Sequence, residues 1–210
     1  MTDSYLAAGS GRAEIVVKRS RFIGIIEPVT DERDALIKLA DLRKKYYDAS
    51  HLCHAYIADE RGVTAKSADD GEPPGTAGIP ILTVLKASGC KKLLGAVARY
   101  FGGVKLGTGG LTRAYSDCVR AALAAAPKIT LTRCGLYSLA VPYGFPESAF
   151  APAGIAVIGR SFGEEVTLTL AVKSGVDMAK SVANITKGAG TPQFIKTDYI
   201  NYAEYKEIQK

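Results

Sequence analysis

The sequence contains few of the residues from which metal and redox centres are built. Its only two histidines lie in the segment HLCH (residues 51–54), and its four cysteines, Cys53, Cys90, Cys118 and Cys134, form no CxxC pair. A structural zinc site needs four such ligands, and this spacing does not supply them. We therefore predict no metal and no cofactor, and we expect reduced, mostly buried thiols.

Long apolar runs are also absent. No window approaches the ~18 uninterrupted apolar residues that mark a membrane-spanning helix, and the first residues show no basic region followed by an apolar core, as a secretory signal would. We therefore expect a cytoplasmic protein with no membrane partner. The composition, 47% hydrophobic and 23% charged, is that of a packed globular chain.

The charge is modestly basic and unevenly distributed. The net charge is +6; residues 1–131 hold 19 basic and 14 acidic side chains, whereas the remainder holds 8 and 7. This balance permits an anionic partner. An Ala-rich helical stretch ends at Pro127 and a strand-like run begins at Ile129. We therefore predict two domains, residues 1–130 and 131–210.

The second domain shows a βαββαβ pattern. Strands are predicted over residues 130–141, 155–162, 164–172 and 193–205, and helices over residues 145–154 and 175–187. This order is that of the split βαβ, or ferredoxin-like, plan. Proteins with this fold have many unrelated functions, so the fold alone does not indicate what this protein does.

The first domain contains a clearly marked helix over residues 31–46. Acidic residues occupy its first turn and basic residues its last turn, as the helix dipole favours. Further on, the pattern predicts a strand over residues 52–58, a helix over residues 79–87, a buried strand over residues 92–100 and a helix over residues 112–125.

A glycine-rich segment, FGGVKLGTGG (residues 101–110), joins the last predicted strand and helix of the first domain. Glycine permits positive φ and close approach of a ligand, and the start of a helix offers unpaired N–H groups. Arg99, Lys105 and Arg113 flank this point. The segment therefore predicts an anion or phosphate site, although it matches neither the P-loop nor the dinucleotide motif. The alternative is a tight connection whose glycines only allow packing.

An acidic loop, SADDGEPPGTAG (residues 67–78), precedes the helix predicted over residues 79–87. Its carboxylates, Asp69, Asp70 and Glu72, could hold Mg²⁺ beside a phosphate, could pair with Arg99 or Arg113, or could form an ordinary turn. A nucleophilic Cys53 activated by His54 is disfavoured, because adjacent residues of a strand point to opposite faces and the imidazole would not reach the thiol.

Four blocks of sequence together resemble the YigZ/IMPACT family: SRFIG (residues 20–24), HLCHAYI (51–57), SADDGEPPGTAGIPIL (67–82) and RYFGGVKLGTGGLTRAY (99–115). The resemblance extends over the whole chain. Residues 1–130 are similar to the family's shared N-terminal domain, and residues 131–210 to the small C-terminal domain of bacterial YigZ-type members. The RWD domain that precedes the shared domain in eukaryotic relatives is not expected here.

The resemblance implies an α+β protein with two domains. The first would resemble the second domain of ribosomal protein S five, with a left-handed βαβ crossover and a likeness to domain IV of elongation factor G. The second would be ferredoxin-like, similar to domain V of the same factor. The crossover hand follows from the resemblance alone, since most such crossovers are right-handed.

The resemblance also implies the positions of a binding surface, and we predict no catalytic residues. The anion or nucleic-acid site would comprise Arg99, Gly102, Gly103, Lys105, Gly107, Gly109, Gly110 and Arg113. Further residues of the cleft would be Arg21, His54, Asp69, Asp70, Glu72, Thr76 and Tyr100, with Gly71 and Gly75 also within the family motif.

Three functions remain open at this point. The first is a non-catalytic regulator linked to translation, bound to RNA, the ribosome or a protein of the translation machinery. It rests on the basic first domain, the glycine-rich segment suited to an anion, and the implied similarity to two ribosome-facing domains. The second is an enzyme or binding protein for a nucleotide or phosphorylated metabolite, using residues 69–72 with Lys105. The third is a protein-interaction module. Whether the chain is an enzyme is left open, with a binding role expected.

Overall fold

The computed structural model of the protein describes the backbone of residues 4–208 and the side chains of residues 4–205. The described chain divides into two compact units, Tyr5–Ile129 and the residues from Thr130 onward. Both units mix helices and strands around a sheet, so the predicted α+β class is confirmed. No helix among the described residues is long and apolar enough to cross a membrane.

The strands of the first unit are β1 (Ser4–Ala8), β2 (Gly11–Val17), β3 (Ser20–Pro28), β4 (His51–Ile57), β5 (Ala65–Ala68), β6 (Cys90–Lys91) and β7 (Leu93–Tyr100). Five of them form an antiparallel sheet with the order β2-β3-β7-β4-β5. The short strands β1 and β6 pair in parallel outside this sheet. Strands β3 and β4 both run antiparallel to β7, which lies between them.

Three helices cover the two faces of this sheet. They are α1 (Glu32–Lys45), α2 (Gly78–Ala87) and α3 (Thr108–Ala125). Helix α1 packs on the face that carries Leu52 and Tyr56 of β4, whereas α2 and α3 pack on the opposite face, which carries Cys53 and Ala55. This alternation follows from the two-residue period of a strand.

Helix α1 begins and ends close to its predicted bounds. The carboxylate of Asp31 accepts a hydrogen bond from the Asp34 backbone N–H at the helix start, and Arg43, Lys44 and Lys45 occupy the last turn. Both features stabilise a helix, the first by capping an unpaired N–H group and the second through the dipole.

The elements of the second unit are β8 (Lys128–Val141), a 3₁₀ helix (Glu147–Ala153), β9 (Ile155–Phe162), β10 (Val166–Lys173), α4 (Met178–Thr186), β11 (Gln193–Ile200) and α5 (Tyr202–Ile208). Its strands pair antiparallel with one another in the order β9-β10-β8-β11. This order is the antiparallel split βαβ arrangement predicted from the sequence. Helix α5 was not predicted, since residues 193–205 were expected to form one strand.

Candidate functional site

A cleft of about 410 Å³ opens on the α2–α3 side of the first unit. Both segments singled out in the sequence contribute to it, the acidic loop through Glu72 and Pro73 and the glycine-rich segment through Phe101 and residues 105–108. Such a volume lies within the usual range of small-ligand sites. The residues that line it are His51, Glu72, Pro73, Arg99, Phe101, Lys105, Leu106, Gly107, Thr108 and Leu111.

Helix α3 begins in this cleft, earlier than predicted. We expected it to start at Thr112, but it starts at Thr108, with Gly107 as the preceding residue and no side chain capping it. Its first hydrogen bond runs from Leu111 N–H to the Gly107 carbonyl, at 2.9 Å. The N–H groups of residues 108–110 therefore have no partner within the helix and carry the positive end of its dipole.

The glycines of the glycine-rich segment serve different purposes. Gly107 has φ 76° and ψ 166°, a conformation open essentially to glycine alone, and Gly103 has φ 81°. A Cβ on Gly102 would lie 2.1 Å from the Arg19 carbonyl carbon, so close backbone approach requires glycine there. Gly109 and Gly110 lie within helix α3, and neither has a positive φ.

A buried ion pair forms the floor of the cleft. Arg99 is 5% exposed and Glu72 is 7% exposed, and the guanidinium donates to the Glu72 carboxylate at 2.5 Å. The hydroxyl of Tyr115 donates to the same oxygen at 2.8 Å. Glu72 and Arg99 therefore form an ion pair, which was one of the alternatives for the acidic loop, and the pair brings no net charge to the cleft. The buried Nε of Arg99 has no hydrogen-bond partner among the described residues.

Burial keeps the neighbouring hydroxyl and thiol protonated. Burial is the largest cause that raises the pKa of Tyr115, and Cys53 and Glu72 raise it further. Burial likewise raises the pKa of Cys53 to about 12, and its thiol donates to the Asp69 carbonyl at 2.9 Å. Cys53 is therefore a thiol at neutral pH, which disfavours a nucleophilic role.

Asp69 organises the acidic loop by accepting backbone hydrogen bonds. Its carboxylate accepts from Gly75 at 2.8 Å, Ala77 at 3.0 Å and Gly78 at 2.7 Å, the last two at the start of α2. Partial burial alone would raise the pKa of Asp69, but these three N–H groups outweigh it and lower the pKa. The charge of Asp69 therefore stabilises the fold.

Asp70 is also committed to contacts within the first unit. Its carboxylate accepts from Leu52 N–H at 2.7 Å and from the Arg43 guanidinium at 3.0 Å, and its carbonyl oxygen lies 2.8 Å from His51 Nδ1. Because a carbonyl only accepts, His51 Nδ1 is the donor in this contact. The other ring nitrogen, Nε2, lies 3.9 Å from the Glu72 carboxylate. Within the described residues, no group of three or more His, Cys, Asp or Glu side chains is placed to hold a metal.

Several predicted residues lie away from the lining of the cleft. Arg21 is exposed and forms a two-bond ion pair with Glu14, at 2.8 and 3.1 Å, while its guanidinium carbon lies 5.5 Å from the ring centre of Tyr100. The hydroxyl of Tyr100 donates to Asp48 at 2.9 Å. Arg113 is exposed on α3.

His54 and Thr76 are buried rather than placed to meet a ligand. His54 shares its strand face with the residues that pack on α1, opposite the cleft, and burial lowers its pKa. Thr76 donates its hydroxyl to the Pro73 carbonyl at 2.7 Å, within the acidic loop.

Sequence reasoning missed four residues that shape the cleft. Phe101 and His51 line the cleft directly. Tyr115 and Ser20 contact the buried ion pair at its floor, Tyr115 through Glu72 and Ser20 through Arg99. The Ser20 hydroxyl accepts from Gly102 N–H at 3.2 Å. The ring of Tyr115 packs in the core of the first unit, and its hydroxyl contacts Glu72, 43 residues away in sequence, which no local pattern indicates.

Comparisons with known proteins give a consistent result. A family model for the Impact N-terminal domain matches residues 18–123. The IMPACT family member YvyE of Bacillus subtilis (strain 168) is 46% identical over 110 residues, which are 52% of this chain and 51% of YvyE. YigZ of Escherichia coli (strain K12) is 39% identical over 109 residues, which are 51% of this chain and 53% of YigZ. The chain thus spans about half the length of these curated relatives.

A likeness to a solved structure extends over both units. A crystal structure described as that of a hypothetical protein matches with a TM-score of 0.63 at 28% identity, covering 93% of this chain and 99% of the other. The two-domain α+β fold therefore recurs in that protein.

Proposed function

The chain belongs to the family defined by the Impact N-terminal domain, and from that premise we propose that it is a translation-linked protein that binds RNA through the cleft of the first unit. The observation that carries this proposal is the uncapped start of α3, which opens into the cleft beside Lys105. In protein–DNA complexes half or more of the hydrogen bonds go to phosphates and sugars, and backbone N–H groups at helix starts are among the donors.

The charges in the cleft favour a phosphate group. Lys105 is exposed, and no ion pair of Lys105 is found among residues 4–205, so its ammonium group is available to a ligand. Arg99 and Glu72 cancel each other at the floor. The remaining positive charges are Lys105 and the helix dipole, and both act on the same end of the cleft.

The contacts of the acidic loop do not favour a magnesium–nucleotide site. Asp69 and Asp70 each accept backbone hydrogen bonds, and Asp70 and Glu72 each pair with an arginine. A hard cation would have to displace these contacts to gain oxygen ligands. A phosphate at the start of α3 requires no such rearrangement.

The proposal is tested by measuring RNA affinity as a function of salt. We expect Lys105→Ala to weaken binding of a short single-stranded RNA about fivefold and to reduce the log–log salt slope by about 0.7, since one phosphate contact is lost. Lys180→Ala, which removes an exposed lysine of α4, is the matched control and should leave the slope unchanged. Equal slopes for the three proteins would contradict the proposal.

A further inference from the structure

Phe101 is an exposed aromatic residue on the wall of the cleft. Its side chain is 51% exposed although it follows directly after the buried strand β7. Isolated apolar residues on a surface are common. Phe101 differs because it lines the same cleft as Lys105 and the start of α3.

The ring of Phe101 rests on a rigid support. The Arg99 guanidinium carbon lies 5.5 Å from its ring centre, over one face, and 5.4 Å from the ring centre of Phe22. Arg99 is itself fixed by Glu72 at 2.5 Å. The backbone N–H of Phe101 donates to the Ser50 hydroxyl at 3.1 Å. One face of the ring therefore meets the Arg99 guanidinium, and about half of the residue's surface remains exposed.

We propose that Phe101 is a stacking platform for an unpaired base, so that the cleft binds single-stranded RNA in preference to duplex RNA. This inference rests on the proposed function. The phosphate of a nucleotide binds at the start of α3, and the base of the same nucleotide stacks on Phe101. Aromatic side chains beside a positive groove are the usual means by which proteins bind single strands without reading sequence. In a duplex the bases are stacked and paired, so none reaches Phe101.

The absence of tryptophan from the chain allows a direct optical test. The variant Phe101→Trp places the only indole in the cleft, and stacking of a base should quench its fluorescence when a short oligo(A) strand is added. The matched control is Phe162→Trp, at an exposed aromatic position of β9 in the second unit. We expect quenching of the first variant only, and much less with an oligo(A)–oligo(U) duplex of the same length.

Affinity measurements separate this inference from the proposed function. Phe101→Leu should weaken binding of oligo(A) about tenfold, whereas Phe101→Tyr should bind nearly as well as the wild type. If Phe101→Leu binds normally while Lys105→Ala binds weakly, stacking is refuted and the phosphate site stands. If both variants bind normally, both proposals are refuted. Thermal melting of each variant confirms that the fold is intact.

Discussion

The acidic loop and the glycine-rich segment border one cleft but use their polar groups differently. In the acidic loop, Asp69, Asp70 and Glu72 all accept hydrogen bonds from the first unit itself. In the glycine-rich segment, the N–H groups at the start of α3 have no helical partner, and Lys105 is exposed. The carboxylates of the acidic loop thus stabilise the fold, whereas the backbone N–H groups at the end of the glycine-rich segment remain accessible as hydrogen-bond donors.

The difference has a simple physical basis. A buried polar group without a partner costs free energy, so carboxylates that are brought inside a fold acquire N–H donors. The first N–H groups of a helix that starts at the surface carry no such cost, since water satisfies them. A high density of carboxylates in the sequence therefore does not by itself mark a ligand site in this molecule.

The largest expected effect comes from breaking the buried pair that anchors the acidic loop. Arg99→Met leaves the Glu72 carboxylate buried beside Tyr115 without its guanidinium partner. We expect a loss of about 3–5 kcal/mol in the free energy of unfolding, measured by urea denaturation. In the double variant with Glu72→Gln the loss should be much smaller than the sum of the two single losses. Additive losses would show that the pair is not coupled.

A smaller loss of stability is expected on substitution of Asp69, whose carboxylate accepts hydrogen bonds from the backbone at the start of α2. Asp69→Ala removes the acceptor of three backbone N–H groups and should cost about 2–3 kcal/mol of unfolding free energy. Asp41→Ala, at an exposed aspartate of α1, is the control and should change the free energy of unfolding little.

The contribution of Asp69 should also depend on pH. Its pKa in the folded protein is lower than the ordinary value of 3.8, because backbone N–H groups outweigh the effect of partial burial. The carboxylate therefore stabilises the fold at pH values above 3.8. This stabilisation is lost as the pH falls through the lower pKa that Asp69 has in the folded protein. The difference between the wild type and Asp69→Ala should shrink below about pH 4. A difference independent of pH would contradict this account.

Two glycines of the glycine-rich segment should respond differently to the same substitution. Gly107→Ala forces a side chain into a conformation with φ 76° and ψ 166° and should cost about 1–2 kcal/mol. Gly109→Ala lies in the first turn of α3, with no atom within 4 Å of the added Cβ, and should be neutral or stabilise by about 0.5 kcal/mol. Thermal melting distinguishes the two. A similar loss for both would mean that Gly109 is not helical.

The sequence predicted elements whose signals are local. Helix α1 was predicted within one residue at either end, because Asp31 and the basic last turn mark it. The start of α3 was predicted four residues late, since glycine is a poor helix former, and Gly109 and Gly110 were assigned to a loop. The burial of Leu111 and Tyr115 against the sheet overrides that preference.

Contacts between distant segments were beyond the reach of sequence patterns. Strand β1 pairs with β6, which lies more than eighty residues away in the sequence. Neither short strand shows a hydrophobic pattern that would predict a strand. The pairing of Arg99 with Glu72, 27 residues away, was one of the alternatives for the acidic loop, but no sequence pattern decided between this pairing and contact with a ligand. The boundary near residue 130 stays a prediction as far as independent folding of the two domains is concerned.

The most direct test of the proposed phosphate site is an amide NMR titration of the 210-residue chain with inorganic phosphate and with a short single-stranded RNA. We expect the largest shift changes on the amides of Thr108, Gly109 and Gly110, and we expect Lys105→Ala to reduce them. The amides of Gly75 and Gly78, which already donate to Asp69, should move little. Shifts confined to other parts of the chain, with the three α3 amides unmoved, would contradict the proposed site.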